Sequence, residues 1–261
     1  MAIAWQQDAT TIASPTSGTL SFTPTNGRYL ILWGEARGGG ANNVITGITL
    51  TGVTWTRLGG QATSANSNAA IDIWVGKVAA GAGTALSVTW SSGVTVGYIK
   101  VSEFTAAADL VIDAAAVGQL SSIATPNYTT VAANVLLLAG YGGLGTSITA
   151  ATNSFTLIGT SSAGTGGTSR SYAAAYRIVS SQGTYSTSFT GGGTSSAVTV
   201  LLGVKESNAT STQTQTGTAR ITATTQRTQT GTANVRATTL QTQTATARIQ
   251  KAATQTQTGT A

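Results

Sequence analysis

The chain has 261 residues, of which 8% are charged and 41% hydrophobic, with 32 glycines and neither cysteine nor histidine. That absence excludes disulfides, thiol nucleophiles, Cys/His metal sites and the most frequent general base. The net charge of +6 is unevenly placed: residues 1–206 hold eight Lys/Arg against seven Asp/Glu (8 − 7 = +1), whereas residues 207–261 hold Arg220, Arg227, Arg236, Arg248 and Lys251 and no acid (5 − 0 = +5).

Residues 1–8 (Met-Ala-Ile-Ala-Trp-Gln-Gln-Asp) lack the basic and apolar stretches of a signal peptide. Read as a native start, they describe a protein made without a secretion signal. Up to residue 206, short apolar or alternating runs are separated by Gly/Ser/Asn/Thr clusters, the punctuation of antiparallel strands. The runs are 29–36, 45–50, 54–58, 71–78, 85–90 and 97–104, followed by 135–141, 155–159, 172–179, 185–190 and 197–205. In the first, Tyr29, Ile31 and Trp33 share one face and Leu30 and Leu32 the other, which predicts a central strand. The runs at 29–33 and 135–139 are too short to span a bilayer, so no membrane insertion is expected.

The second series reads as a copy of the first. Residues 29–34 (Tyr-Leu-Ile-Leu-Trp-Gly) match 135–140 (Val-Leu-Leu-Leu-Ala-Gly), and 54–59 (Thr-Trp-Thr-Arg-Leu-Gly) match 154–159 (Ser-Phe-Thr-Leu-Ile-Gly). Trp74, Trp90 and residues 96–103 match Tyr176, Phe189 and 197–204, at an offset near 100 throughout. The expected fold is all-β: residues 1–206 form an antiparallel β-sandwich head with duplicated halves, about 18–105 and 126–206. The halves build one sandwich of ten or more strands or two in tandem.

Residues 207–261 are a Thr/Gln-rich tail. The motif Gln-Thr-(Gly/Ala)-Thr-Ala starts at Gln215, Gln229, Gln243 and Gln257, a spacing of 14 residues, with Ile221, Val235 and Ile249 as the large aliphatics in register. An even repeat places equivalent residues of an extended strand on one face. One large apolar residue per repeat does not offset backbone ordering of roughly 1–2 kcal/mol per residue in a lone chain. Order is therefore expected on pairing with another chain, with Ile221, Val235 and Ile249 as assembly residues, and the many hydroxyls leave room for covalent glycans.

Catalysis has few candidates. Glu35 and Glu103 are the carboxylate pair to test for glycoside hydrolysis, though solubilising edge charges explain both, and no catalytic residue is assigned. Asp109 and Asp113 lack the dense ligand pattern of a calcium loop, so no metal or cofactor is expected. Among Trp5, Trp33, Trp55, Trp74 and Trp90, alternation sends Trp33 and Trp74 to the core and leaves Trp55, flanked by Thr54, Thr56 and Arg57, as the candidate glycan contact. The glycine clusters at 38–40, 142–143 and 191–193 read as turns rather than phosphate loops. A nearly neutral head and a tail without aromatics argue against nucleic acid.

Residues 52–59 (Gly-Val-Thr-Trp-Thr-Arg-Leu-Gly), 74–78 (Trp-Val-Gly-Lys-Val), 101–104 (Val-Ser-Glu-Phe) and 214–221 (Thr-Gln-Thr-Gly-Thr-Ala-Arg-Ile) carry a resemblance. With them the chain resembles phage and bacterial virion or surface structural proteins. The resemblance implies a jelly-roll-like head, assembly into particles or fibres, and no catalytic set. The expected function is thus structural self-assembly in a virion or extracellular fibre, the tail linking subunits by strand pairing. The alternative is a carbohydrate-binding or adhesive surface module.

Overall fold

A computed structural model describes residues 3–13, 17–38, 45–62, 69–91, 94–163, 170–194 and 197–207. The chain divides into Met1–Ser207 and Asn208–Ala261. The second unit, with Ile221, Val235 and Ile249, lies outside the described residues.

Every element among the described residues is a strand, and every strand pairing is antiparallel. In the first half they are β1 (Ala4–Ala13), β2 (Ser17–Ser21), β3 (Tyr29–Gly38), β4 (Ile45–Thr49), β5 (Val53–Ala62), β6 (Ala70–Val78), β7 (Ala85–Trp90) and β8 (Val94–Thr105). In the second they are β9 (Leu110–Leu120), β10 (Tyr128–Thr129), β11 (Val135–Ala151), β12 (Thr156–Ala163), β13 (Arg170–Val179), β14 (Thr184–Tyr185), β15 (Phe189–Gly192) and β16 (Val198–Glu206).

One large sheet has the order β1-β8-β3-β6-β5 and the other β9-β16-β11-β13-β12, the same order built from corresponding strands. Three hydrophobic clusters lie between layers. The inner one joins Ile31, Trp33, Ile71 and Ile73 of the first large sheet to Leu136, Leu138, Val200 and Leu202 of the second. The opposite face of the first sheet, with Leu30, Leu32 and Val101, packs on Leu20, Ile45, Leu86 and Val88 of the small sheet β2-β7-β4. The outer face of the second, with Leu137, Ala139 and Leu201, packs on Tyr128, Ile148 and Phe189. The first half's β3 and β4 correspond to the two ends of the single long β11, which pairs with β13 and β16 and then, beyond Gly145, with β15. Gly142 and Gly143 therefore sit inside a strand rather than in a turn. The change of sheet falls at Gly145 (φ 149°), where a side chain would meet the backbone of Gly193.

The large sheets contact each other in reverse order. β5 lies over β9 and β16, β6 over β16 and β11, β3 over β11, and β1 over β12. Because β1 corresponds to β9 and β5 to β12, the contact of β5 with β9 is mirrored by that of β1 with β12, and β3 meets its own counterpart β11, as at an isologous two-fold interface closed within one chain. The bulges obey the same relation. β5 shifts register between Arg57 and Gly59 and β12 between Leu157 and Gly159. The extra residues, Leu58 and Ile158, both turn into the inner cluster. Each following glycine meets the opposite sheet: a Cβ at Gly59 would stand 2.9 Å from Ala116 Cβ, and one at Gly159 would stand 3.0 Å from Lys100 Cδ.

This geometry corrects the pairing of the two series by one residue. Tyr29, Ile31 and Trp33 face the inner cluster, whereas Val135, Leu137 and Ala139 face outward; Leu136, Leu138 and Gly140 take the inner positions. Trp74 likewise faces outward, with Ala175 rather than Tyr176 as its counterpart. A slip of one residue exchanges the faces of a strand, so only packing against a second layer reveals the error. Residues 54–59 and 154–159 keep their matched register because both contain the bulge.

Gly59→Ala should therefore destabilise the head by about 1–3 kcal/mol. Adding Ala116→Gly should recover part of that loss, so denaturant melts of the two single variants and the double variant should be non-additive. Strict additivity would show that the two sheets do not meet at this point.

Candidate functional site

Glu35 and Glu103 do not form a cleft. Glu35 pairs with Tyr98 and Glu103 with Leu30 across the β3–β8 ladder. They stand on opposite faces of one sheet, five positions apart, or roughly 17 Å along the strand. Glu103 is buried and satisfied, accepting hydrogen bonds from Arg28 Nη1 (2.6 Å), Thr25 N (2.8 Å) and Gln7 Nε2 (3.1 Å). Its role in this geometry is to hold the segment before β3 against β8.

Glu35 is the less ordinary group. It follows Trp33 on the inner face of β3, fully buried, and both carboxyl oxygens lack a hydrogen bond. Burial pushes its pKa well above the usual carboxylate range; the amides of Ala173 and Tyr141 lower it slightly, but neither reaches hydrogen-bond geometry. Arg37, two residues on, is also buried, with Nε and Nη1 unpaired, and its pKa is lowered by burial and by Arg170. Tyr98 and Tyr172 stack across the layers beside them, ring centroids 5.9 Å apart and 5° from parallel. Burial raises Tyr172, and nearby Glu35 adds to the shift. One end of the inner layer is thus polar, formed by Glu35, Arg37, Tyr98 and Lys100, where the second half has Gly142, Leu144, Val198 and Val200. Sequence patterning could have located it: Glu35 and Arg37 continue the Tyr29, Ile31, Trp33 face without a break in parity.

Asp109 accepts from Tyr29 Oη (2.6 Å) and Lys77 Nζ (2.5 Å), and these partners hold its pKa below the usual range. Asp113 accepts from the amide of Val131 at 2.8 Å and lies 3.2 Å from Lys205 Nζ. The two aspartates thus serve separate ion pairs, and no cluster of three acidic, His or Cys ligands occurs among the described residues.

The tryptophans are sorted by layer. Trp33 and Trp90 are core residues. Trp55 and Trp74 are half-buried at the margin of the outer cluster, so Trp55 is less exposed than its neighbours predicted. The reason is Gly76, its partner across the ladder: the Trp55 ring lies over the bare glycine, where a Cβ would approach within 2.9 Å. Beside them Arg57 donates to the buried Asp72 from Nε (2.8 Å) and Nη2 (2.5 Å). Trp5 on β1 is the exposed tryptophan, and its indole donates to Asp8 Oδ1 at 3.0 Å.

Sheet edges have a common feature. All four outer strands of the large sheets are bulged: β1 at Trp5/Gln7, β5 and β12 as described, and β9 opposite Leu201–Val204. The pairings of β3 with β6 and of β11 with β13 and β16 run uninterrupted. Bulges at edges oppose uncontrolled pairing. Even so, exposed large hydrophobics concentrate on β9, at Val111 (39%), Ile112 (42%) and Leu120 (45%), with Val131 (55%), bonded to Asp113, beside them. Sequence reasoning missed this strand because bulges break the alternation of residues 110–120.

The raised pKa of Glu35 has a signed consequence. The folded chain holds a proton that the unfolded chain releases above the ordinary value of 4.5. The stability tied to that proton is complete below this value and is lost as pH rises through the folded pKa. Glu35→Gln should flatten the fall in melting temperature as pH rises above the ordinary carboxylate range, gaining on the parent across that fall; parallel melting curves would place Glu35 in contact with water. Compared with known proteins, the chain matches no protein-family model, no curated protein and no solved structure.

Proposed function

We propose that the chain is a self-assembling structural subunit of a phage particle or extracellular fibre. In this reading the layered sheets are jelly-roll-like sandwiches, one per half, that present a surface. The tail of each subunit links it to another by β-strand pairing. The observation that carries the reading is the coexistence of an open, partly apolar sheet edge at β9 with a regular 14-residue repeat that has little core of its own. The cationic residues of the repeat limit indiscriminate stacking by repulsion. Catalysis, a cofactor and a metal have no part in it, and its partner is a further copy of the chain.

A second reading, a carbohydrate-binding or adhesive module, draws on one place: Trp55 and Trp74 stand diagonally on one face of β5 and β6, with Arg57 directly across the ladder from Trp74. An indole face with a polar N–H handle offers a sugar ring an apolar surface to stack on. It separates from the first reading by experiment, because Trp55→Ala should abolish glycan retention without affecting assembly.

Sedimentation and electron microscopy of the full chain test the leading reading. The parent should form oligomers or filaments, and the combined change of Ile221, Val235 and Ile249 to Ser should weaken them while the head melts at the parent's temperature. Equal assembly by parent and variant, or a parent monomeric at every concentration, would overturn it.

A further inference from the structure

The large sheets leave two corresponding edges, β1 and β9, at which the inner core runs out to solvent. Trp5 pairs with the fully buried Phe104, and Ile112, at the corresponding position, pairs with the fully buried Val204; Leu120 pairs with the fully buried Val198. Trp5 is 40% exposed, Ile112 42% and Leu120 45%. In each row the core is complete on one strand and open on the next. The two edges differ in three respects. Trp5 has a polar partner in Asp8, whereas Ile112 and Leu120 have only apolar atoms to offer. Three of the chain's seven acids, Asp109, Asp113 and Glu206, stand at the start of β9, and Lys77 and Lys205 neutralise two of them (3 − 2 = 1 acid in excess). Finally, the head ends at Ser207, whose amide donates to Asp109 O at 2.6 Å, one residue before β9 begins.

We infer that the edge of β9 left unpaired among the described residues is the acceptor for the tail strand of a second copy of this chain. The inference rests on the assembly reading above and names its docking surface. Residues 208–261 follow Ser207 directly, carry five cations and no acid, and so complement the acidic start of β9. One 14-residue repeat is long enough to run the eleven residues of β9. Because each head releases its tail beside the start of its own β9, two copies related by a two-fold axis can exchange tails reciprocally with little chain spent between exit and acceptor. The incoming strand would place its small apolar face, Gln213, Gln215, Gly217, Ala219 and Ile221, as the next members of the rows now ended by Ile112 and Leu120. The bulges at Asp113 and Ala115–Ala116 divide the edge, leaving Val117–Leu120 as a regular run for pairing.

Three variants of the full chain decide it by sedimentation velocity across a concentration series. Ile112→Lys with Leu120→Lys should raise the concentration needed for assembly by about tenfold or more, since two apolar contacts are lost and charge is set in the interface. Both positions are substantially exposed, so the melting temperature should stay near the parent's. Trp5→Lys, on the corresponding edge β1, should assemble like the parent. If the β9 variant assembles normally while the tail variant with Ser at 221, 235 and 249 does not, another edge is the acceptor and the inference falls with the assembly reading intact. If both assemble normally, the assembly reading falls and the inference with it. Should the β9 variant fail to fold, hydrogen exchange on the parent decides: amides of residues 110–120 should gain protection as concentration passes the assembly midpoint, and no gain would overturn the inference.

Discussion

The structure depends on one constraint, that its central strands are apolar on both faces. Tyr29, Ile31 and Trp33 look one way from β3 and Leu30 and Leu32 the other, and all are buried. Leu136 and Leu138, against Leu137 and Ala139, repeat this on β11. Such a strand is stable in water only inside a sheet with cover on each side. Each half supplies one cover from its own small sheet or loop layer, and each large sheet is the other's second cover. Neither large sheet could leave its inner face exposed without returning a continuous apolar surface to water.

Two sheets of the same strand order meet that constraint economically, since each surface that must be covered finds its complement in the other. The reversed strand contacts, and the bulges that send Leu58 and Ile158 into the same cluster, are what a self-complementary interface requires. The halves nevertheless differ at one end of the interface. Glu35, Arg37 and Lys100 in the first half occupy positions that are glycine or aliphatic in the second. Burying these groups without full pairing opposes folding, and the raised pKa of Glu35 is the form in which the carboxyl accommodates it. Lys100 is held differently, 3.1 Å from Asp8 at the rim.

Contact between layers closes the faces of sheets but not their sides, so the outer strands keep an unpaired edge among the described residues. The fold moderates all four with bulges, yet the bulges on β9 lie in its middle and leave apolar side chains at both ends. Ion pairs elsewhere serve the head itself: Glu103 ties the approach to β3, and Asp72 with Arg57 and the amide of Ile45 joins β5 and β6 to β4.

Much of this was legible in the residues. Short alternating runs between glycine and serine clusters state an all-β chain of antiparallel strands, and two-sided apolarity marks β3 as central, because a strand's period of two shows directly which side chains share a face. The matched (Thr/Ser)-x-Thr-x-x-Gly segments even keep their register through the bulge. What alternation cannot supply is which face meets which layer. For that reason the match of residues 29–34 was one residue out, Trp55 was expected at the surface rather than over Gly76, and Glu35 was read as an edge charge. The composition of the strands determined that they must be covered on both sides; only the packing of one half against the other decided which residues lie between the layers and which edge was left open, because burial is set by a partner surface far away in the chain.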